Sequence, residues 1–246
     1  MARVRIDQLL VSKNLAPTRT RAQALLLSGN VFVGGVRVDK PGTLVAEDAD
    51  VDVKGADHPY VSRGGVKLEG ALVSFGVDPA GLRCLDLGAS TGGFTDCLLR
   101  RGAIVVVAVD VGYGQLAHKL RVDPRVVVME RTNAKTLDPA SFGGPVDLTV
   151  VDASFIGLGK LADAMARNTR VGGEVVALVK PQFEVGREEA TRSKGVVKDA
   201  AVRSRAIGDA VSAVEAAGFA ILGECDCVLP GPKGNVEAFV HARRIR

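Results

Sequence analysis

Arg83-Cys84-Leu85-Asp86-Leu87-Gly88-Ala89-Ser90-Thr91-Gly92-Gly93-Phe94-Thr95 is the stretch that decides the fold. Cys84, Leu85 and Leu87 make a near-continuous apolar run, which suits a strand buried on both faces of a parallel sheet. The run ends in Gly88 and a string of small residues, and Phe94-Thr95 then opens a helix over 94–101. Small residues let backbone approach a ligand closely, and the N–H groups of a helix start offer donors. Asp86, Gly88, Ala89, Ser90, Thr91, Gly92, Gly93 and Phe94 are therefore candidate ligand-binding residues.

Downstream of this loop, strands and helices alternate. Strands are expected over 83–87, 104–110, 126–130, 147–152 and 174–180, and helices over 64–76, 94–101, 115–121, 157–170 and 199–217. That order implies a mostly parallel sheet covered on both faces. The tail differs: strands over 220–226 and 236–242 are joined by Leu229-Pro230-Gly231-Pro232-Lys233-Gly234-Asn235 with no helix between them, so they should pair antiparallel. The expected fold is α/β and Rossmann-like, a mostly parallel seven-stranded sheet with an antiparallel last hairpin. Ligands of such sheets bind at the carboxyl ends of the strands near the switch point. Asp110 ends the second strand, where its carboxylate can grip two ribose hydroxyls. Asn133, after the third strand, can meet an adenine edge.

The N-terminal residues are of another kind. The formal net charge is only +4, yet residues 1–40 hold Arg3, Arg5, Lys13, Arg19, Arg21, Arg37 and Lys40 against two acids, Asp7 and Asp39. A basic segment on a near-neutral body is an electrostatic footprint for nucleic acid. Ile6, Leu9 and Leu10 stand at helical spacing. Thr18 caps a second helix that buries Ala22, Leu25 and Leu26 and stops at Ser28-Gly29. Val31-Phe32-Val33-Gly34-Gly35-Val36-Arg37-Val38 reads as a hairpin on a primed turn, and Val51-Asp52-Val53 as a further strand. The polar stretch Gly55-Ala56-Asp57-His58-Pro59-Tyr60-Val61-Ser62-Arg63 marks a boundary. The expected division is a small α+β module over 1–58, a linker over 59–63 and the α/β domain over 64–246.

Other function classes are disfavoured. The longest apolar runs fall far short of the roughly 20 residues that span a bilayer, and the N-terminus leads into polar sequence, so no membrane partner and a cytoplasmic location are expected. Cys84, Cys97, Cys225 and Cys227 lack metal-knuckle spacing, the three histidines show no ligand spacing, and no metal is expected. Gly112-Tyr113-Gly114-Gln115-Leu116-Ala117, with Glu130 beyond it, fits a dinucleotide fingerprint and keeps an NAD-binding oxidoreductase open as an alternative.

The helix–helix–hairpin head, with arginines at the start of its second helix, resembles the RNA-binding module of the ribosomal protein S-four family. Asp86-x-Gly88-x-x-x-Gly92, with Asp110 ending the next strand, resembles the S-adenosylmethionine site of class I methyltransferases. Among those, amine-directed enzymes carry a proline-rich motif after the fourth strand, absent from Val151-Asp152-Ala153-Ser154-Phe155. No cysteine follows proline to serve as a nucleophile toward a pyrimidine. Oxygen is left as the acceptor. Lys67, Asp152, Lys180 and Glu237, in that order, resemble the tetrad of the ribose 2′-O-methyltransferases related to FtsJ.

Taken together, the head, Tyr60-Val61-Ser62-Arg63-Gly64-Gly65-Val66-Lys67, the first glycine loop, Val179-Lys180-Pro181-Gln182-Phe183-Glu184 and Leu229-Pro230-Gly231-Pro232-Lys233-Gly234-Asn235-Val236-Glu237 resemble the TlyA (haemolysin A) family. The resemblance implies an S-adenosylmethionine-dependent methyltransferase acting on the ribose 2′-OH of a cytidine in 23S ribosomal RNA, with 16S rRNA as a further substrate. It implies Lys67, Asp152, Lys180 and Glu237 as catalytic residues, with Lys180 nearest the hydroxyl proton. Asp152 also borders the cofactor, and Arg3, Arg5, Arg19, Arg21 and Arg63 are expected at the RNA. Ribosomal RNA or subunits are the expected partner and a monomer the expected state. The family's haemolysin label implies a cytolysin, for which the sequence offers no amphipathic or spanning segment.

Overall fold

The computed structural model describes residues 3–16, 18–27, 29–53, 58–186, 193, 195–231 and 233–246. Ser28 at the stop of the second helix, Gly55, Ala56 and Asp57 of the boundary stretch and Pro232 of the last connection lie outside the described residues. The chain divides into two compact units, Met1–His58 and Pro59–Arg246.

In the first unit, β1 (Arg3–Arg5) leads into α1 (Ile6–Ser12), followed by α2 (Arg19–Leu27). Thr18 Oγ1 accepts from the Arg21 N–H at 3.2 Å, as a cap should. Ile6, Leu9, Leu10, Ala22 and Leu26 close a core with Val31 and Val45. β2 (Val31–Val33) and β3 (Val36–Arg37) form the expected hairpin. Gly34 and Gly35 both have positive φ, 55° and 80°, which a type I′ turn demands. β5 (Val51–Val53) pairs with the other side of β2. β4 (Leu44–Ala46), which pairs antiparallel with β1, was not expected from the sequence. Three-residue strands carry too little periodicity to be read.

The second unit opens with α3 (Arg63–Phe75), which buries Leu68, Ala71 and Leu72 and ends at Gly76 in the left-handed region. The sheet comprises β6 (Arg83–Leu87), β7 (Val105–Val109), β8 (Val126–Met129), β9 (Val146–Val151), β10 (Thr169–Val179), β11 (Phe219–Asp226) and β12 (Ala238–Arg244). Its order is β11-β12-β10-β9-β6-β7-β8. Strands β6 to β10 run parallel, whereas β12 is antiparallel to both β10 and β11. This is the expected architecture, and its switch point lies between β6 and β9.

Alternate strand residues enter opposite cores. Leu85, Leu87, Val107 and Val109 pack toward α6 (Ala162–Asn168) and α8 (Ala200–Ala216). Cys84, Val106 and Ala108 pack toward α3 and α4 (Gly93–Arg100). Each fully buried Leu or Val contributes about 1.5–3 kcal/mol over its exposed state.

Two helices are shorter than their spacing suggests. Over 115–121 only α5 (His118–Arg121) is helical; Ala117 is its N-cap with non-helical ψ of 135°, and the Ala117 N–H bonds Thr91 O at 3.2 Å. Over 157–170, a 3₁₀ turn at Leu158–Leu161 precedes α6, and β10 already begins at Thr169, whose hydroxyl bonds Thr149 at 2.7 Å. No helix among the described residues is long and apolar enough to cross a membrane.

Candidate active site

β6 and β9 end side by side, so their loops share one floor. Gly88 has φ 90°, and a Cβ there would stand 2.7 Å from the backbone oxygen of Asp152. Only glycine lets the two strand ends touch. Asp110, at the end of β7, staples this floor together. One carboxylate oxygen accepts from the Ser90 N–H at 2.8 Å and the other from the Gly112 N–H at 2.7 Å. Each oxygen keeps a second lone pair for a ligand hydroxyl.

Asp86 lies on the α4 side of β6, fully buried. Its Oδ2 accepts from the Thr95 N–H at 3.0 Å and the Thr95 hydroxyl at 2.7 Å, which ties the loop to the start of α4. Its Oδ1 is buried with no hydrogen-bond partner. Burial pushes this carboxyl up to about 7, with the Asp152 and Asp110 charges acting in the same sense and the Thr95 bonds opposing.

The second glycine loop is built differently from a dinucleotide cradle. Glu130 Oε1 accepts from the Gly114 N–H at 2.8 Å and from Arg121 Nη2 at 2.6 Å. The Arg121 guanidinium holds the Glu130 carboxyl below its ordinary value. Glu130 thus fastens its own loop through Oε1, and the helix that follows has only four residues.

A cleft of about 380 Å³ runs between these loops, lined among others by Gly88, Ser90, Asp110, Asn133, Asp152 and Phe155. Ala89, Thr91, Gly93 and Phe94 border a second cavity of about 180 Å³ that reaches Ser62, Asp152 and Lys180. Gly92 borders neither of these cavities and forms the N-cap of α4. Asn133 Oδ1 accepts from the Lys135 N–H at 3.0 Å, leaving its amide NH₂ as the group for a ligand edge. The volume matches a small-molecule site. Asp86 borders neither of these cavities, whereas the Gly88 contact and the Asp110 carboxylate lie at the cleft and fit a ligand that carries a ribose.

At the far end stand two ion pairs. Lys67, from α3, lies 2.5 Å from Glu237 Oε2, with the side chains 9% and 1% exposed. Lys180, directly after β10, has its Nζ 2.5 Å from Asp152 Oδ1 and donates to Ser154 Oγ at 2.9 Å. The Lys180–Asp152 contact is one of charge without hydrogen-bond alignment, since Asp152 Oδ1 has no such partner. Burial pushes the Asp152 carboxyl up from its ordinary value, against the Lys180 and Lys67 charges. Removing one partner of such a pair strands a buried charge, at about 3–5 kcal/mol. The structure brings all four candidate catalytic residues to the carboxyl edge of the sheet, each from a different element.

The cationic candidates differ among themselves. Arg3 is exposed. Arg5 and Arg19 both grip Asp7, which is wholly buried and also accepts from Gln23. The Arg5 guanidinium above all holds the Asp7 carboxyl well below the usual carboxylate range. Arg21 is partly buried, and Arg63 is exposed with Nη2 directed to Pro230 O at 3.3 Å.

Sequence reasoning missed Ser154, Phe155, Gln182 and Glu184. Phe155 is 91% exposed and has φ 66°, a conformation that costs a non-glycine residue about 1–3 kcal/mol. Its ring lies 5.4 Å from that of Phe183. An aromatic three residues after a candidate catalytic carboxylate, in the loop beyond the strand end, was the available signal.

The FtsJ-like methyltransferase family matches residues 60–244 and the S4 domain family residues 4–51. The chain is 47% identical to the 16S/23S rRNA (cytidine-2′-O)-methyltransferase TlyA of Mycobacterium tuberculosis, over 98% of this chain and 90% of that protein. It is 38% identical to Hemolysin A of Brachyspira hyodysenteriae, over 97% and 99% of the two chains. Among solved structures, a putative hemolysin from Streptococcus thermophilus superimposes with TM-score 0.78 at 38% identity, over all of this chain and 90% of the other. A methyltransferase from Listeria monocytogenes shares the fold at 13% identity, with TM-score 0.56 over 74% and 98% of the chains. In sequence over nearly its whole length, and in the order of its two units, the chain belongs to the family of FtsJ-like methyltransferases that carry an S4 domain ahead of the catalytic sheet.

Proposed function

We propose that the protein is an S-adenosylmethionine-dependent methyltransferase that modifies the ribose 2′-OH of a cytidine in 23S ribosomal RNA, with 16S rRNA as a further substrate. The observation that carries the reading is the pairing of Lys180 with Asp152 and of Lys67 with Glu237 at the end of the cleft. When bound, S-adenosylmethionine supplies a methyl group on a sulfonium, from which it leaves readily. Asp110 and Asn133 hold its ribose and base, and the 88–94 loop bounds the rest. Asp86, buried behind the loop and bonded to Thr95, supplies negative charge from beneath the site and holds the loop's shape.

A ribose hydroxyl is a weak nucleophile and needs a positioned group to take its proton. Lys180 Nζ, the group placed nearest the hydroxyl, passes a proton to its partner Asp152 and receives the hydroxyl proton as the oxygen–methyl bond forms. Lys67 and Glu237 hold the far side of the ribose in line, which is where most of the rate gain of a two-substrate transfer arises. Phe155 offers an aromatic face to the target base, the usual means of holding an unstacked base in single-stranded RNA. Arg3, Arg5, Arg19, Arg21 and Arg63 bind phosphate and set the register of the RNA. With ribosomal RNA as substrate, the reaction belongs in the cytoplasm.

Mapping ribose methylation on ribosomal subunits incubated with the protein and S-adenosylmethionine tests the reading. A cofactor-dependent 2′-O-methylcytidine is expected. Methyl transfer to a base, or none to RNA, would overturn it.

A further inference from the structure

A short helix, α7 (Pro181–Glu184), follows Lys180, and successive side chains around it reach different walls of the site. Lys180, its N-cap, meets Asp152 and Ser154. Gln182 Nε2 lies 3.5 Å from Glu237 Oε1, and Phe183 packs beside Phe155. The last residue, Glu184, has no place in the chemistry described above. Its Oε1 accepts from the backbone N–H of Leu158 at 2.7 Å. A Cβ on Gly157 would stand 2.7 Å from Glu184 Oε2, so the loop backbone rests directly on the carboxylate.

The segment held this way is the one that follows β9. It is anchored at one end by the Lys180–Ser154 bond and at the other by the Glu184–Leu158 bond. Between the anchors lies Phe155, left-handed and exposed, its ring 5.4 Å from that of Phe183. A conformation that L-residues rarely adopt persists only where the surroundings over-determine it. Leu158 and Leu161 are fixed in the core by burial, 3% and 2% exposed. Loss of Glu184 therefore loosens the exposed part of the loop and leaves the fold standing.

We infer that Glu184 is a positioning residue for methyl transfer: its carboxylate fixes the 154–158 loop, and through it Ser154 and Phe155, in register with Lys180. The inference rests on the reaction proposed above. The group that matters is the acceptor oxygen, so an amide in its place should serve. Burial of Glu184 raises its carboxyl above the ordinary value, with the Leu158 N–H and Lys160 opposing, which agrees with a group used more for its oxygen than for its charge.

The test compares Glu184→Ala with Glu184→Gln in the full chain. Glu184→Ala should lower kcat on ribosomal RNA about tenfold to a hundredfold, the scale of a misplacement near 1 Å. Glu184→Gln should restore most of the rate. Hydrogen exchange at the Leu158 amide should speed up in the alanine variant and stay slow in the glutamine variant, a readout that needs no activity. Wild-type kcat in Glu184→Ala would overturn the inference, and so would equal losses in both variants. A wild-type protein that methylates no RNA sinks the reaction assignment instead, and that result is seen before any variant is made.

Discussion

Asp86→Asn isolates the electrostatics of the cofactor loop. The amide keeps the shape of the carboxylate, and its oxygen can still accept both Thr95 bonds. What it removes is a charge buried at zero exposure. In the folded protein the Asp86 carboxyl stands at about 7, against an ordinary 3.8. Below pH 4 the group is protonated in both folded and unfolded chains and costs nothing. Between 4 and 7 the unfolded chain ionises while the folded one holds its proton, so stability falls as pH rises. Above 7 both are ionised, and the penalty levels off at about 4 kcal/mol, from about 1.4 kcal/mol per pH unit.

Denaturant unfolding should therefore find Asp86→Asn more stable than the wild type by about 2 kcal/mol at pH 5.5 and about 4 kcal/mol at pH 8.5. Calorimetric titration should show the opposite for function. S-adenosylmethionine affinity should rise with pH through 7 in the wild type. In the variant it should be flat and weaker by about tenfold to a hundredfold at pH 8.5, the worth of a hydrogen bond to a charged group. A stability gain that is the same at both pH values, or an unchanged cofactor affinity in the variant, would refute the reasoning.

Lys180→Ala should cut turnover by about a hundredfold to ten thousandfold in a methyl-transfer assay, with cofactor and ribosome binding retained, because it removes a positioned proton acceptor. Titration with both cofactors should show micromolar binding of S-adenosylmethionine and no heat with NAD, since Glu130 is already bound to Gly114 and Arg121; binding of NAD alone would reverse the assignment of the two loops. Asp7→Ala should destabilise the N-terminal unit in thermal unfolding, as it removes a buried carboxylate that ties Arg5, Arg19 and Gln23 together. Because the Asp7 carboxyl is held below its ordinary value, its contribution in the wild type is present above pH 4 and is lost as pH falls, so the two proteins should converge in acid.

What the sequence made legible follows from local physics. Apolar runs such as 105–109 and 83–87 can be buried strands wherever they pack, and Asp110 ends a strand regardless of what it later binds. The I′ turn at Gly34-Gly35 is dictated by those two residues alone. Features that depend on remote partners were hidden. Glu130 reads as a ribose ligand until Arg121 and the Gly114 N–H are seen to occupy it. Asp7 reads as one more surface acid between Ile6 and Gln8, yet it is wholly buried under two arginines. The α5 region has helical spacing over 115–121, but Ala117 has a non-helical ψ and bonds the remote Thr91 carbonyl, so the helix starts only at His118. Glu184 and Gln182 stand in a quoted motif, and only the chain fold reveals what each touches.

The placement of Glu237 has a consequence for how the protein is made. It precedes β12, the sheet's last strand in chain order, and it neutralises Lys67 on α3, the sheet domain's first helix. Translation delivers these two groups 170 residues apart. A nascent chain can therefore complete the RNA-binding head and much of the parallel sheet while Lys67 still lacks its counter-charge. Until the final hairpin docks, that ammonium cannot be buried cheaply, so the half-made sheet is held short of its closed form. On the chemistry proposed above, methyl transfer then becomes available in one step, with the last strand, and a product truncated before it should lack that activity.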